Sequence, residues 1–380
     1  MKREIVSQGT IVIAVVAIIA LIIGAAAGYI LKPAPEKPPE IAELEAQVSE
    51  LEATIDDLEA EIAGLEATLA AIPGGDISME PASFVWAVDT WLFSMPVRAA
   101  FELGYFEDEG LTVELHDYAM GIATIDAILA GDAQMGIAAS YALDTRLGKG
   151  DVCLVSFFNK WRTPSGLLVA PDIKSLADLK GKTGAVVSGS IWDYFWGKTL
   201  EKAGLTAEDV EILSFASPAD YLASAMRGDV DAAWWWEAGL TNAQEQLKDW
   251  HMLLYTKDAA PAAIDGWGVI PAKESWAREN PDVVARALRA MKKGADFCNQ
   301  NPELAGEIAE DHFGLPAEDA AEMIPFQIYY AGLSGEYAEG MYEMLQWGWE
   351  QGLIEEEYDF YAKIVSEPLE KIYPELVTYK

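Results

Sequence analysis

Cysteine, histidine and basic residues are scarce in this chain, and each shortage excludes a class of chemistry. The 380 residues hold two cysteines, Cys153 and Cys298. They are too few for a disulfide framework and have no metal-ligand spacing. They pair only if the fold brings them together. The three histidines, His116, His251 and His312, show no metal spacing either. No P-loop and no G-x-S-x-G nucleophile motif occurs. Lys and Arg number 26 against 62 Asp and Glu, a net charge of -36. That balance excludes nucleic acid and anionic membrane surfaces as partners. Carboxylate pairs are unavoidable in so acidic a chain, so they carry no catalytic information. What is plentiful is apolar surface, at 51% of residues, and tryptophan, at 13. This length suits a tether followed by two lobes better than one core.

The tether is legible at the amino end. Residues 10–31 are almost purely apolar and carry no charge. About 20 such residues cross the hydrocarbon core as a helix. Lys2 and Arg3 precede the run, which places residues 1–9 on the cytoplasmic side and everything after the run outside. A cleaved signal peptide fits too, because Ala25, Ala26 and Ala27 precede Gly28. Both readings stand. No cysteine directly follows the run, which argues against a lipid anchor. The spacer KPAPEKPP (32–39) is extended and semi-rigid.

Residues 40–72 then form a heptad stalk. Ile41, Val48, Ile55, Ile62 and Leu69 occupy a; Leu44, Leu51, Leu58, Leu65 and Ile72 occupy d. β-Branched a with Leu at d favours a parallel two-stranded coil, and hence a homodimer. Yet Glu40 and Glu61 at g would face Glu45 and Glu66 at e, with no Lys or Arg in the segment to relieve them. Dimer and monomer both remain open for a stalk of roughly 50 Å. Pro73, Gly74 and Gly75 end it, and 73–81 is a linker.

From Pro81 onward the pattern is α/β. FVWAV (84–88) is a strand, 96–103 a helix, 111–115 a strand, 122–130 a helix and 134–139 a strand. That alternation predicts a parallel sheet. The unit then recurs: DAILAGDAQMGIAAS (126–140) echoes YLASAMRGDVDAAWWW (221–236), each a helix, a Gly-Asp turn and a strand. One copy per lobe is the simplest explanation. WGVI (267–270) is a strand that returns the chain to the first lobe. Helices are expected at 281–299, 302–312, 317–330 and 336–351.

Five stretches carry a family likeness: RAAFELGYFEDEGLTVEL (98–115), AILAGDAQMGIAAS (127–140), IKSLADLKGKTGAV (173–186), GLTAEDVEIL (204–213) and AMRGDVDAAWWWEA (225–238). In order and together, they resemble the nitrate, sulfonate, taurine and thiamine-precursor branch of ABC transporter solute-binding proteins. The resemblance implies a two-lobed type II periplasmic-binding-protein fold, here preceded by a transmembrane helix and a coiled-coil stalk. Lobe 1 would comprise 82–169 and 270–380, and lobe 2 would comprise 170–269. Hinges are implied at 167–170 and 269–271. The implied function is extracytoplasmic: a small solute held in the interlobe cleft and delivered to an ABC permease with its ATPase. No cofactor is implied. A ligand sensor without transport shares the architecture. So do thiamine-pyrimidine synthases, but those carry a cysteine cluster that this chain lacks.

Ligands of open α/β sheets sit beyond the carboxyl ends of the strands. That rule selects Asp89 and Trp91 after the first strand, Tyr118 after the second, and Ser140 and Tyr141 after the third. In lobe 2 it selects Ser188, Ser190 and Trp192 at a helix start, then Trp236 and Glu237. Trp267 is a further candidate by position. Ser190 and Asp193 also have capping spacing, which accounts for Ser190 without a ligand. Strand alternation puts Trp234 and Trp236 on one face and Trp235 on the other, so the three cannot all line a cleft. Rings and acids suit a flat nitrogen heterocycle or a quaternary ammonium. An anion receptor would need cations: Lys160 and Arg162 near the first hinge, or Arg98.

Overall fold

The computed structural model describes residues 77–161, 165–259 and 267–379. The apolar run at 10–31, the spacer and the stalk at 40–72 lie outside them. Among the described residues no helix is long and apolar enough to cross a membrane.

Two sheets organise the chain. The first opens with β1 (Ala82–Asp89), whose neighbours are β2 (Leu111–Tyr118) and β3 (Met135–Gly136), both parallel to it. Because β1 is flanked on both sides, its second half is continuously buried rather than alternating. Helix α1 (Met95–Glu102) joins β1 to β2, and α2 (Gly121–Ala130) joins β2 to β3. The short β4 (Ala138–Ala139) leads directly into α3 (Ser140–Leu147). Strand β5 (Cys153–Trp161) ends this first passage.

The chain then enters the second sheet at β6 (Gly166–Val169) and continues through β7 (Thr183–Val186), β8 (Glu211–Ser214), β9 (Ala232–Trp235) and β10 (His251–Tyr255), in the order β10-β6-β9-β7-β8. Its helices are α4 (Ile191–Ala203), α5 (Pro218–Arg227) and α6 (Glu237–Gln246). The internal echo is structural. α2 with β3 and β4 in one lobe matches α5 with β9 in the other, and both helices end on a left-handed glycine, Gly131 and Gly228. The chain returns at β11 (Trp267–Ala272), antiparallel to β3, β4 and β5.

The expected hinge segments fall largely within strands. Residues 167–169 lie inside β6, and 269–271 lie inside β11. In the first sheet β5 ends at Trp161 and β11 begins at Trp267. Leu167, Leu168 and Val169 are fully buried, as suits a central strand rather than a hinge.

The tail is mostly helical and completes the first lobe. Its long helices are α7 (Pro281–Gln300), α8 (Pro302–Phe313) and α9 (Gly335–Glu350). The helix expected over 317–330 is broken: Ala317–Met323 is helical, Ile324–Phe326 is a 3-10 turn, and β12 (Gln327–Gly332) pairs antiparallel with β5. Pro325 removes a helical donor, and Ile328, Tyr329 and Tyr330 fit a pleated edge. Strand β10 was not evident in the sequence. Cys153 and Cys298 are both buried and free.

Helix α7 lies so close to α1 that Gly294 is required. A Cβ there would sit 2.1 Å from the Pro96 carbonyl oxygen and 2.9 Å from the Ala100 nitrogen. Both neighbours are backbone, so neither can rotate away. Gly294→Ala is therefore expected to destabilise the chain by about 1–3 kcal/mol despite its better helix propensity. Chemical denaturation checks this; an unchanged or raised midpoint contradicts the packing.

Candidate functional site

The carboxyl ends of β1, β2, β4, β7 and β9 each lead into a helix or turn, and the two lobes meet there through side chains. Helix α3 of the first lobe runs against α4 of the second. Tyr141 lies 6.4 Å from Tyr194 between ring centroids. A Cβ on Gly189 would stand 3.1 Å from an Arg146 guanidinium nitrogen. Helix α9 reaches across as well. Trp347 Nε1 donates to Glu201 Oε1 at 2.9 Å, and its ring meets Tyr194 edge-on at 4.9 Å. Gly197 makes room for that ring, since a Cβ there would fall 1.9 Å from it. At the start of α2, Met120 and Ile122 pack on the second-lobe cluster that contains Val187, Tyr221 and Trp235.

On the first-lobe side, Asp89 is the last residue of β1 and only 7% exposed. Its Oδ1 has no hydrogen-bond partner. Burial pushes its carboxyl up to about 7, against the Arg98 guanidinium and hydrogen bonds from Trp91 and Ser94. Trp91 is half-buried and its Nε1 is unpartnered. Tyr118 is half-buried at the end of β2. Ser140 opens α3 fully buried, with a free hydroxyl and no capping role. Tyr141 is fully buried under α9 and α4, and its hydroxyl is unpartnered too.

On the second-lobe side, Ser188 is exposed. Ser190 caps α4, accepting from the Trp192 N–H at 3.3 Å, and Asp193 accepts from the Gly189 N–H. Burial pushes Asp193 up to about 6. The tryptophan alternation appears as expected. Trp235 meets Tyr221 at 4.6 Å, while Trp192 stacks on Trp234 at 6.0 Å and on Trp236 at 5.7 Å, nearly parallel to both. Trp192 is 5% exposed, so protein rings take the surface a ligand would use; Trp236 is the partly exposed member of the stack. Glu237 is the first residue of α6.

Two other candidates are absorbed by packing. Trp267 is fully buried, stacked on Tyr337 at 5.1 Å and seated against Gly340. Arg98 is buried and engaged within the first lobe. It donates to the Ser94 hydroxyl, the Asp89 carbonyl and Asp117 Oδ1, and it lies over the Phe313 ring. Its place on a buried helix face explains why the sequence misled. Lys160 sits 5.5 Å from the Tyr337 ring centroid. Arg162 lies outside the described residues. Asp144, which the sequence did not single out, is fully buried with both carboxyl oxygens unpartnered. Its spacing of four from Ser140 was the only available signal.

A family model described as NMT1/THI5 like matches residues 93–305, more than half of the chain. The chain belongs to the NMT1/THI5-like family. A protein of Brucella abortus named as a binding protein is 26% identical over 229 residues, covering 60% of this chain and 70% of the relative. The taurine-binding periplasmic protein of Escherichia coli K12 is 25% identical over 282 residues, covering 69% and 85%. The fold matches the Escherichia coli periplasmic aliphatic sulphonate binding protein with a TM-score of 0.64 at 19% identity, over 76% of this chain and 93% of that one. The same fold also serves a desulfurization enzyme, DSZB, at a TM-score of 0.57 and 15% identity, over 77% and 99%. The fold therefore does not decide between binding and catalysis; the family relatives named above are binding proteins.

Asp89 links the site to stability. Its folded-state pKa of about 7 lies above its ordinary 3.8, so the folded chain holds an extra proton between those values. The stability it lends is complete below about pH 4 and is lost as pH rises toward 7. Asp89→Asn should stabilise the chain at pH 8, by up to ~4 kcal/mol, and change little at pH 4. Thermal unfolding of both chains across pH tests this; a difference that does not vary with pH contradicts it.

Proposed function

We propose that this chain is the extracytoplasmic solute receptor of an ABC-type importer, a binding protein rather than an enzyme. The supporting observation is the pairing of two unlike surfaces at the lobe boundary. Buried, unpartnered polar side chains end the first-lobe strands, and a tryptophan stack with one partly exposed ring ends β9. Buried polar groups without partners are costly, and a solute that supplies the missing hydrogen bonds offsets that cost. Catalysis would need a nucleophile or metal constellation. Cys153 and Cys298 are buried, with thiols pushed up by that burial.

The proposed solute is small, with aromatic or nitrogen-containing character. It rests on Trp236 and meets Asp89 and Ser140. It bridges first-lobe and second-lobe residues and so favours the closed form by its differential contacts. The closed face docks on a permease driven by its ATPase. The apolar run at 10–31 serves as membrane anchor, with the stalk at 40–72 holding the lobes outside and offering a dimer contact. Tethering keeps the receptor concentrated near the permease.

An anion receptor is the second reading. It is favoured by helices α2, α3 and α6, which begin at these strand ends without side-chain caps and turn the positive ends of their dipoles toward the lobe boundary.

Calorimetric titration of the full chain against aminopyrimidines, quaternary amines, taurine, alkanesulfonates and nitrate separates the two. One-to-one binding of an aromatic or cationic member, weakened about tenfold by Trp236→Ala, is the expected result. Binding of simple anions alone, unmoved by that substitution, would establish the second reading.

A further inference from the structure

Helix α3 begins at the end of β4 and carries three polar side chains on one turn, Ser140, Tyr141 and Asp144. Spacings of three and four bring them to one face of the helix. All three are fully buried, and none of their side-chain oxygens has a hydrogen-bond partner among the described residues. Buried polar groups are nearly always paired. Here Tyr358 donates to the main-chain carbonyl of Asp144, not to its carboxyl.

We propose that Asp144, flanked by Ser140 and Tyr141, receives a positively charged N–H group of the solute, so that the receptor selects organic ammonium ions and protonated amino-heterocycles. This rests on the receptor reading and narrows its ligand class. The two carboxyl oxygens are acceptors, which suits a donor-rich cation. Among the described residues, the cations Arg146 and Lys198 on the adjoining helix turns are engaged elsewhere. Arg146, on the same helix, is held by Asp126 and the Thr145 hydroxyl. Lys198 of α4 pairs with Glu201 and lies over Tyr194 and Trp347. The other ionisable groups near this turn are Tyr194 and Asp193 on the second lobe and Tyr358 on the tail; none brings positive charge.

Binding is coupled to a proton. Burial holds the Asp144 carboxyl well above the usual carboxylate range, which favours its protonated form before a solute arrives. An arriving ammonium ion favours the carboxylate, and the carboxyl proton leaves to solvent. In the resulting ion pair the carboxylate's negative charge offsets the positive charge of the bound ammonium group, and the released proton carries the balance to solvent.

Two matched probe pairs test this by calorimetry on the full chain at pH 7: taurine against ethanesulfonate, and benzylammonium against benzyl alcohol. The ammonium member of a pair should bind at least about tenfold more tightly. Its heat should vary with buffer ionisation enthalpy as release of about one proton requires. Asp144→Asn should abolish both the preference and the proton release. The wild-type proton count stands by itself if the variant fails to fold. Equal binding within a pair, heats independent of buffer, or a preference retained in Asp144→Asn would each overturn the assignment. Binding of other solutes by a chain that ignores these ammonium ions would remove this inference and leave the receptor reading intact. Failure to bind any solute would remove both.

Discussion

The contact of Trp347 with Gly197 and Glu201 ties the second lobe to the first. Among the described residues the strands of the second sheet form one continuous passage between β5 and β11 of the first, so backbone connections alone leave the relative position of the two half-sites loosely set. Side-chain contact has to set it. The indole fills the space that a glycine leaves in α4 and hydrogen-bonds to Glu201 one turn further on. Tyr194 and Tyr141 extend the same contact toward the strand ends.

Acidity plays two separate parts. Most of the 62 carboxylates form a solvated surface and say little about ligand. Asp89, Asp144 and Asp193 differ because burial raises all three carboxyls above their ordinary range. Carboxyls held this way at one lobe boundary regain their charge most readily beside a positively charged solute, which favours a cationic ligand. The bare helix starts at α2, α3 and α6 work in the opposite sense. A solute with both a cationic and an anionic end would satisfy both features at once. The chain, a member of the NMT1/THI5-like family, presents two chemically unlike surfaces at its lobe boundary, and that difference is what a bridging ligand could exploit.

Much of the fold was legible because local signals agreed. The Gly-Asp turns at 131–132 and 228–229 marked equivalent places in the two lobes, and strand alternation assigned Trp234, Trp235 and Trp236 to faces correctly. Illegible features were those decided by tertiary partners. β12 reads as a helix until Pro325 is weighed and β5 is present to pair with it. Trp192 and Trp267 looked available by position, but ring partners that no linear pattern reveals cover them. Asp144 was hidden because one more aspartate in so acidic a chain carries no signal; only its burial sets it apart.

The most direct measurement is the distance between the lobes with and without solute. Spin labels at positions 132 and 208, which are exposed on the first and second lobes, would report it by pulsed dipolar spectroscopy. Saturating solute should convert a broad or longer distance distribution into one shorter, narrower distance. An identical distribution in both conditions would contradict the claim that a bridging solute closes the lobes.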